Sequence, residues 1–161
     1  MKWILIVAVI LPFSFILVNS VPMKFSPCND KDEYDNLTCT INQVTIDGCK
    51  KERDSQNNCK LRRLHNASIV FDFTPDFDTA EGDDVFLGMY TTRPAETIWP
   101  GMDTNACNHM TCPVVKNQLN HYTYFVNIPQ SYPRGLFTVR FLMKKAGIPK
   151  CCFLTKISIA A

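Results

Sequence analysis

Residues 99–133 read WPGMDTNACNHMTCPVVKNQLNHYTYFVNIPQSYP, and they carry the clearest structural pattern of the chain. It opens on a Pro-Gly turn and then closes a short loop between Cys107 and Cys112. Apolar and polar residues then alternate, as they do in a β-strand with one buried face. The apolar positions of that strand are Tyr122, Tyr124, Val126 and Ile128. A disulfide staple beside a strand with one aromatic face predicts a β protein with an apolar interior.

The same period of two recurs along the chain and predicts further strands. Ile41, Val44 and Ile46 mark the first of them, and their irregular spacing requires a bulge between Ile41 and Val44. Strands are also predicted at 67–73, 85–90, 137–144 and 152–159, with a turn at 145–147. No segment shows a convincing helical period.

Six or seven strands of this kind, each with one apolar face, pack as a sandwich of two sheets. The predicted inner faces carry aromatic rings at Phe71, Phe73, Tyr122, Tyr124, Phe137 and Phe141. Two interpretations remain open at this point. The rings pack into an ordinary solid core, or the sheets stand apart and line a ligand cavity.

The first residues predict a secretory leader. Lys2 supplies a positive charge, residues 4–18 are almost all apolar, and Val18 and Ser20 suit cleavage before Val21. A membrane anchor is the alternative, but the apolar run is shorter than the roughly 20 residues that cross a bilayer. The prediction is therefore a signal peptide over residues 1–20 and one secreted domain over residues 21–161.

The charge of the chain is nearly balanced, with 17 Lys and Arg against 15 Asp and Glu. The densest basic stretch lies between residues 50 and 63, and Glu52 and Asp54 interrupt it. Such a stretch is typical of a solvated loop, so no nucleic-acid partner is expected.

Catalytic motifs are missing from the sequence. His65, His109 and His121 lie far apart, and none belongs to a serine-hydrolase or metalloprotease motif. His109 lies between two cysteines, which could suggest a zinc site, but the spacing and an exported chain favour a disulfide there. The sequence predicts no enzyme, no cofactor and no metal.

All eight cysteines follow the predicted leader, and an even number in an exported chain predicts disulfides. Cys49 and Cys59 bracket a polar loop, and Cys107 and Cys112 bracket a shorter one, so each pair is predicted to bond locally. The other four would join the start of the chain, at positions 28 and 39, to its end, at positions 151 and 152. Spacing leaves the pairing among these four open.

Two N-glycosylation sequons are present, Asn36-Leu37-Thr38 and Asn66-Ala67-Ser68. The alternation of the strand at 67–73 places Asn66 and Ser68 on its outward face. Asn66 is therefore predicted to be accessible, and Asn36 lies in a polar loop.

Together these motifs resemble the ML lipid-recognition family, which includes the Niemann–Pick type C sterol carrier of lysosomes and the group 2 mite allergens. The run from Gly101 to Pro113 is similar to the mite-allergen pattern at this place. Further matches to the family lie at residues 25–28, 44–49, 59–73, 132–133 and 152–159. The resemblance covers essentially all of residues 21–161.

The resemblance implies an all-β, immunoglobulin-like sandwich of two antiparallel sheets with an apolar cavity between them. It also implies three disulfides: Cys49 with Cys59, Cys107 with Cys112, and Cys28 with the last cysteine region. Cys39 and the doubled Cys151-Cys152 depart from the family pattern. The economical solution pairs Cys28 with Cys152 and Cys39 with Cys151, while the swapped pairing stays open.

By resemblance, the chain is expected to be a monomeric carrier of a sterol, a fatty acid or a related lipid, outside the cell or in the lysosomal lumen. The alternative is an interaction protein that presents a lipid to a receptor in immunity or chemical sensing. Either would exchange lipid with a membrane donor or acceptor. The predicted cavity lining is Phe71, Phe73, Val85, Leu87, Tyr124, Val126, Phe137, Val139 and Phe141. The predicted mouth of the cavity is Ile98, Trp99 and Tyr132.

Overall fold

The computed structural model of the chain describes residues 21–28, 34, 37–49, 59–91 and 97–160. The predicted leader, the Asn36 sequon position and Arg93-Pro94 lie outside these ranges. The described residues form ten strands and one short 3-10 helix, Ala106–Asn108. The strands are β1 Val21–Pro22, β2 Phe25–Pro27, β3 Cys39–Asp47, β4 Cys59–Arg62, β5 Asn66–Pro75, β6 Val85–Thr91, β7 Thr97–Ile98, β8 Asn120–Asn127, β9 Gly135–Lys145 and β10 Ile148–Ala160.

The strands build two sheets that face each other. The smaller sheet has the order β1-β3-β5-β8, and the larger has the order β2-β10-β9-β6-β7 with β4 also paired to β10. All pairs are antiparallel except β4 with β10, which is parallel. The all-β, immunoglobulin-like sandwich predicted from the sequence is confirmed.

Local features of the strands agree with the sequence pattern. The ladder between β3 and β5 shifts register between Ile41 and Gln43, which is where the spacing required a bulge. The turn between β9 and β10 uses Ala146 and Gly147, both with positive φ, 49° and 79°. Two successive residues at positive φ form the tight hairpin turn whose twist matches that of its strands.

Four short strands were not predicted: β1, β2, β4 and β7. Each has two to four residues, which is too few for an alternating pattern to be read. The last strand also begins earlier than predicted, at Ile148, because a register shift beside Pro149 lets the ladder continue past a residue that cannot donate a hydrogen bond.

The inward faces of both sheets form one continuous core. Aromatic rings fill one part of this core. There Phe141 stacks on Phe153 at a centroid distance of 4.8 Å, and Phe71 lies edge-on to Phe153 at 5.2 Å. Phe71 also stacks on Tyr122 at 4.9 Å. These rings join the two sheets directly, because Phe71 and Tyr122 belong to the smaller sheet and the other two rings to the larger.

The outer face of the larger sheet is partly covered, which corrects the single-face pattern predicted for β9. In the predicted strand 137–144, Leu142 and Arg140 alternate with Phe137, Val139 and Phe141 and so fall on the opposite, solvent-facing side, but both are buried. Leu142 packs with Cys28, Cys152 and Tyr34 in a second apolar cluster. Arg140 donates to the Tyr34 hydroxyl at 2.6 Å and lies over its ring. Tyr34 therefore shields this part of the face.

All eight cysteines form disulfides: Cys28 with Cys152, Cys39 with Cys151, Cys49 with Cys59, and Cys107 with Cys112. The two local bonds and the bond from Cys28 to the last cysteine region agree with the family resemblance, and the economical pairing of Cys39 with Cys151 is confirmed. Cys39 lies on β3 and Cys151 on β10, so their bond joins the two sheets. Its sequence separation is 112 residues, against 124 for Cys28–Cys152, so with the latter bond in place it closes an additional loop of only 12 residues. On the chain-entropy model a loop of that size stabilises the fold by about 3 kcal/mol.

We expect the double variant C39A/C151A to unfold at a lower denaturant concentration, with a loss of roughly 3 kcal/mol in unfolding free energy, because Cys28–Cys152 still ties the two ends of the chain together. Two-state urea unfolding of the oxidised proteins measures this loss. C107A/C112A is the matched control, because its loop of 5 residues constrains the unfolded chain less. Equal losses in the two variants would contradict the assignment of the larger effect to the intersheet bond.

Candidate functional site

An apolar pocket opens at one end of the sandwich, and we call it the mouth pocket. Its volume is about 220 Å³. Its walls are almost wholly apolar and comprise Thr91, Thr97, Ile98, Trp99, Pro100, Tyr132, Pro133, Phe137 and Ile159. Three of these residues point inward near the ends of long strands: Thr91 on β6, Phe137 on β9 and Ile159 on β10. The pocket therefore leads from solvent toward the space between the sheets.

Two aromatic side chains form one wall of the mouth pocket. The Trp99 and Tyr132 rings meet edge to face, with centroids 5.0 Å apart. The Tyr132 hydroxyl donates to the Pro100 carbonyl oxygen at 3.1 Å. Burial raises the pKa of this hydroxyl, while the nearby Trp99 indole N–H lowers it. The hydroxyl therefore stays protonated at neutral pH, and the wall carries no charge.

The segment Trp99–Asn105 holds this wall in place along β6. The Trp99 N–H donates to the Met89 carbonyl at 2.7 Å, and the Met89 N–H donates to the Met102 sulfur at 3.1 Å. Further along, the Leu87 N–H donates to the Thr104 carbonyl at 2.9 Å. The segment thus continues the larger sheet beyond its short edge strand β7 and fixes the position of Trp99.

Asp103 anchors the far end of the same segment. Its carboxylate accepts hydrogen bonds from the Asn108 side chain at 2.8 Å and from the Asn105 N–H at 3.0 Å, and it lies 3.2 Å from His109 Nε2. The first two bonds, together with the charge of His109, lower the pKa of this carboxyl. Its own N–H lies 3.2 Å from the Tyr124 hydroxyl oxygen, to which it donates. Asp103 therefore connects the segment to β8.

His109 contacts protein groups on several sides. Its ring lies edge-on to Tyr124 at 4.8 Å and to Tyr122 at 5.8 Å. Its carbonyl accepts from the Thr123 N–H at 3.0 Å, and its neighbours Cys107 and Cys112 form a disulfide. Since those sulfurs are bonded to each other, they are not zinc ligands. His109 instead helps to pack the Cys107–Cys112 loop on β8.

The predicted site residues separate into two groups. Ile98, Trp99, Tyr132 and Phe137 meet at the mouth pocket. The other eight lie deeper, in the buried core: Phe71, Phe73, Val85, Leu87, Tyr124, Val126, Val139 and Phe141. Val139 links the two groups, because it pairs with Thr91 across the ladder and follows Phe137 on the inward face of β9.

Five wall residues of the mouth pocket were missed by the sequence reasoning: Thr91, Thr97, Pro100, Pro133 and Ile159. A signal was present for two of them. Thr91 continues the inward series of Val85 and Leu87, and Ile159 ends the alternation of the last strand. The other three lie in segments without a period, and only the folded chain brings them to the pocket.

A larger cleft of about 650 Å³ lies elsewhere and has a different chemistry. Its walls include Glu81, Asp83 and Asp84, so it is acidic and does not suit an apolar ligand. Among the described residues, no group of three or more His, Cys, Asp or Glu side chains is placed to hold a metal ion. No helix of that part of the chain is long and apolar enough to cross a membrane.

The fold and the site together define a class: disulfide-bonded β-sandwiches with an apolar opening between their sheets. Comparison with known proteins places the chain within this class. The family model described as the ML domain matches residues 22–159, and the chain belongs to that family.

Individual relatives agree with the family assignment. The chain is 39% identical over 132 residues to the mite group 2 allergen Der f 2 of Dermatophagoides farinae, covering 77% of this chain and 84% of that protein. It is 26% identical over 132 residues to an MD-2-related lipid-recognition protein of Manduca sexta, covering 80% and 81%. The solved Niemann-Pick type C2 protein of the Japanese carpenter ant superposes with a TM-score of 0.69 at 14% identity, over 85% of this chain and 99% of that one.

The lowered pKa of Asp103 leads to a prediction about how thermal stability depends on pH. Its carboxyl has a lowered pKa in the folded protein, so its stabilising effect is complete above the unfolded value near 3.8 and is lost as pH falls through the folded value. We expect D103N to melt at a lower temperature than wild type at pH 7, and this difference to shrink steadily below about pH 4. Melting curves from pH 7 to pH 2.5 measure it.

The control for this prediction is E81Q, which removes an exposed carboxyl outside the Asp103 network. Its melting temperature should follow that of wild type over the whole range. A difference between D103N and wild type that stays constant down to pH 2.5 would show that the charge of Asp103 does not stabilise the segment.

Proposed function

We propose that this protein is a secreted, non-catalytic carrier that holds a fatty acid or a sterol, with the mouth pocket as the entrance for the apolar part of the lipid. The observation that carries the proposal is the mouth pocket itself, which is apolar and continues the inward faces of β6, β9 and β10. Membership in the ML-domain family and the lipid-recognition relative support it.

Burial of apolar surface supplies the binding energy. Each Å² of hydrocarbon removed from water gains about 25 cal/mol, so an acyl chain that loses 300 Å² gains about 7–8 kcal/mol before the cost of ordering it. Among the described residues, no charged side chain lines the mouth pocket. The polar group of the lipid is therefore placed at the solvent end, where it keeps its hydration.

The volume of the mouth pocket indicates how the rest of the lipid fits. A volume of about 220 Å³ is below the roughly 300–1,000 Å³ of most small-molecule sites. The remainder of the lipid must enter the core, which requires inward side chains to repack. Methionine suits such repacking because its chain is flexible, and five methionines lie in or against the core: Met23, Met89, Met102, Met110 and Met143.

Secretion follows from the predicted leader and agrees with the four disulfides, which persist outside the reducing cytosol. In this proposal the disulfides supply rigidity, so that little ordering energy is lost when the lipid binds. The mechanism needs no bond making or breaking. Lipid enters through the mouth pocket, replaces the side-chain contacts there, and leaves by the same route.

The variant T91F tests the entrance. Thr91 is half-buried on the inward face of β6, and a phenyl ring there would fill part of the mouth pocket. If the ring keeps about 60 Å² of lipid exposed, binding loses about 1.5 kcal/mol, which is about tenfold in Kd. Titration with a fluorescent fatty acid and a fluorescent sterol measures this loss.

The matched control is T40F, which places the same ring at an exposed position near the start of β3, far from the mouth pocket. T40F should bind both probes as wild type does. Wild-type affinity in a T91F protein that melts normally would remove the mouth pocket from the proposal. Failure of wild type to bind either probe would overturn lipid carriage by this route.

A further inference from the structure

Asn66 opens β5 and is exposed to solvent. It lies directly opposite Asn127 of β8 in the antiparallel ladder. The Asn127 side-chain nitrogen donates to Asn66 Oδ1 at 2.9 Å. This bond uses the amide oxygen of Asn66 and not Nδ2, which is the atom that a glycan joins in an Asn-X-Ser sequon.

Phe125 lies on the same outward face, one step along the ladder. It pairs with Ser68, the hydroxyl residue of the sequon, so it is the diagonal neighbour of Asn66. Diagonal neighbours of an antiparallel pair are about 7–8 Å apart, within reach of an aromatic side chain. Phe125 is 75% exposed, the highest value among the large apolar side chains of the described residues.

The surroundings of Phe125 favour an amphipathic cover. Its neighbours on this face are Thr123, Asn127, Ser68 and, on the diagonal away from Asn66, the half-buried Val70. The side of the ring toward Asn66 is therefore bordered by polar residues. A pyranose ring has one face of C–H groups and a rim of hydroxyls. It can cover an aromatic ring with the C–H face while its hydroxyls stay in water, which avoids the cost of burying polar groups.

We propose that Asn66 carries an N-linked glycan and that its first N-acetylglucosamine packs on the Phe125 ring. The inference rests on the proposed secretion. In the transfer step Asn66 Nδ2 bonds to the anomeric carbon of a lipid-linked oligosaccharide diphosphate. The bond from that carbon to the diphosphate oxygen breaks, the lipid diphosphate leaves with the electron pair, and Nδ2 loses one proton.

The structure also orders the events. Ser68 is only 8% exposed, and its hydroxyl donates to Asp47 Oδ2 across the ladder at 3.2 Å. Asp47 ends β3, so this bond forms when β3 and β5 pair. A transferase that reads the Ser68 hydroxyl must therefore act before that pairing, while the chain is still entering the secretory pathway.

Occupancy is tested on the full chain made in eukaryotic cells with N36Q, so that one sequon remains. Mass spectrometry of the Asn66 peptide should find a glycan, N66Q should abolish it, and S68T should keep it. A parallel arm replaces residues 1–20 by an established secretory leader. A glycan in that arm alone overturns the proposed leader but not the site, and no glycan in either arm overturns the inference.

Contact with Phe125 is tested by melting temperature. The glycosylated protein should melt about 2–4 °C above N66Q, and trimming the glycan to its first sugar with an endoglycosidase should keep that gain. In an F125A background the gain should disappear, whereas L119A, an exposed apolar control just before the start of β8, should leave it intact. A gain that survives F125A, or that is lost on trimming, would overturn the contact.

Discussion

Two adjacent cysteines on β10 face opposite ways, and their two disulfides fix both faces of the larger sheet. Successive side chains of a strand point to opposite faces of the sheet. Cys151 therefore lies in the core between the sheets, and Cys152 lies in the cluster on the outer face. One bond ties β10 to β3 of the opposite sheet, and the other holds the chain before β3 against the outside of the larger sheet. Since β10 also pairs with β2, β4 and β9, the larger sheet is anchored through one strand.

The disulfides between the two sheets are unevenly distributed, and the sandwich is open where they are missing. Cys151 pairs with Met143 near the end of β9, whereas the mouth pocket begins at Phe137 near its start. Six residues of strand separate them, or about 20 Å. The Cys49–Cys59 disulfide joins the sheets along the edge formed by β3 and β4. At the mouth pocket, on the side of β6 and β7, side-chain contacts such as that between Trp99 and Tyr132 close the gap. The sheets can part there without breaking a covalent bond.

The long strands were predictable because apolar and polar residues alternate strongly along them. The bulge beside Ile41 was predictable too, because it interrupts the spacing of the apolar residues. The mouth residues Ile98, Trp99 and Tyr132 came from the family resemblance, since the segment around them has no period. The burial of Leu142 and Arg140 could not be predicted from β9 alone. It depends on where the Cys28–Cys152 bond places Tyr34, and that is a contact between residues more than 100 positions apart along the chain.

The sequence left open whether the aromatic inner faces make a solid core or line a cavity. In the structure the core is solid around Phe141 and opens into a pocket near Phe137. At the Phe141 level the rings stack at van der Waals distance, so removing one would leave a costly void. At the Phe137 level the inward series ends in an apolar opening. A lipid that enters more deeply must replace contacts between aromatic rings by contacts between those rings and itself. The net binding free energy gained per added carbon therefore falls where the lipid meets the stacked rings. In the proposed carrier, the depth at which core side chains can no longer move aside would then limit the length of lipid that binds. Val139, which pairs with Thr91 of the mouth pocket, occupies the position where that limit begins.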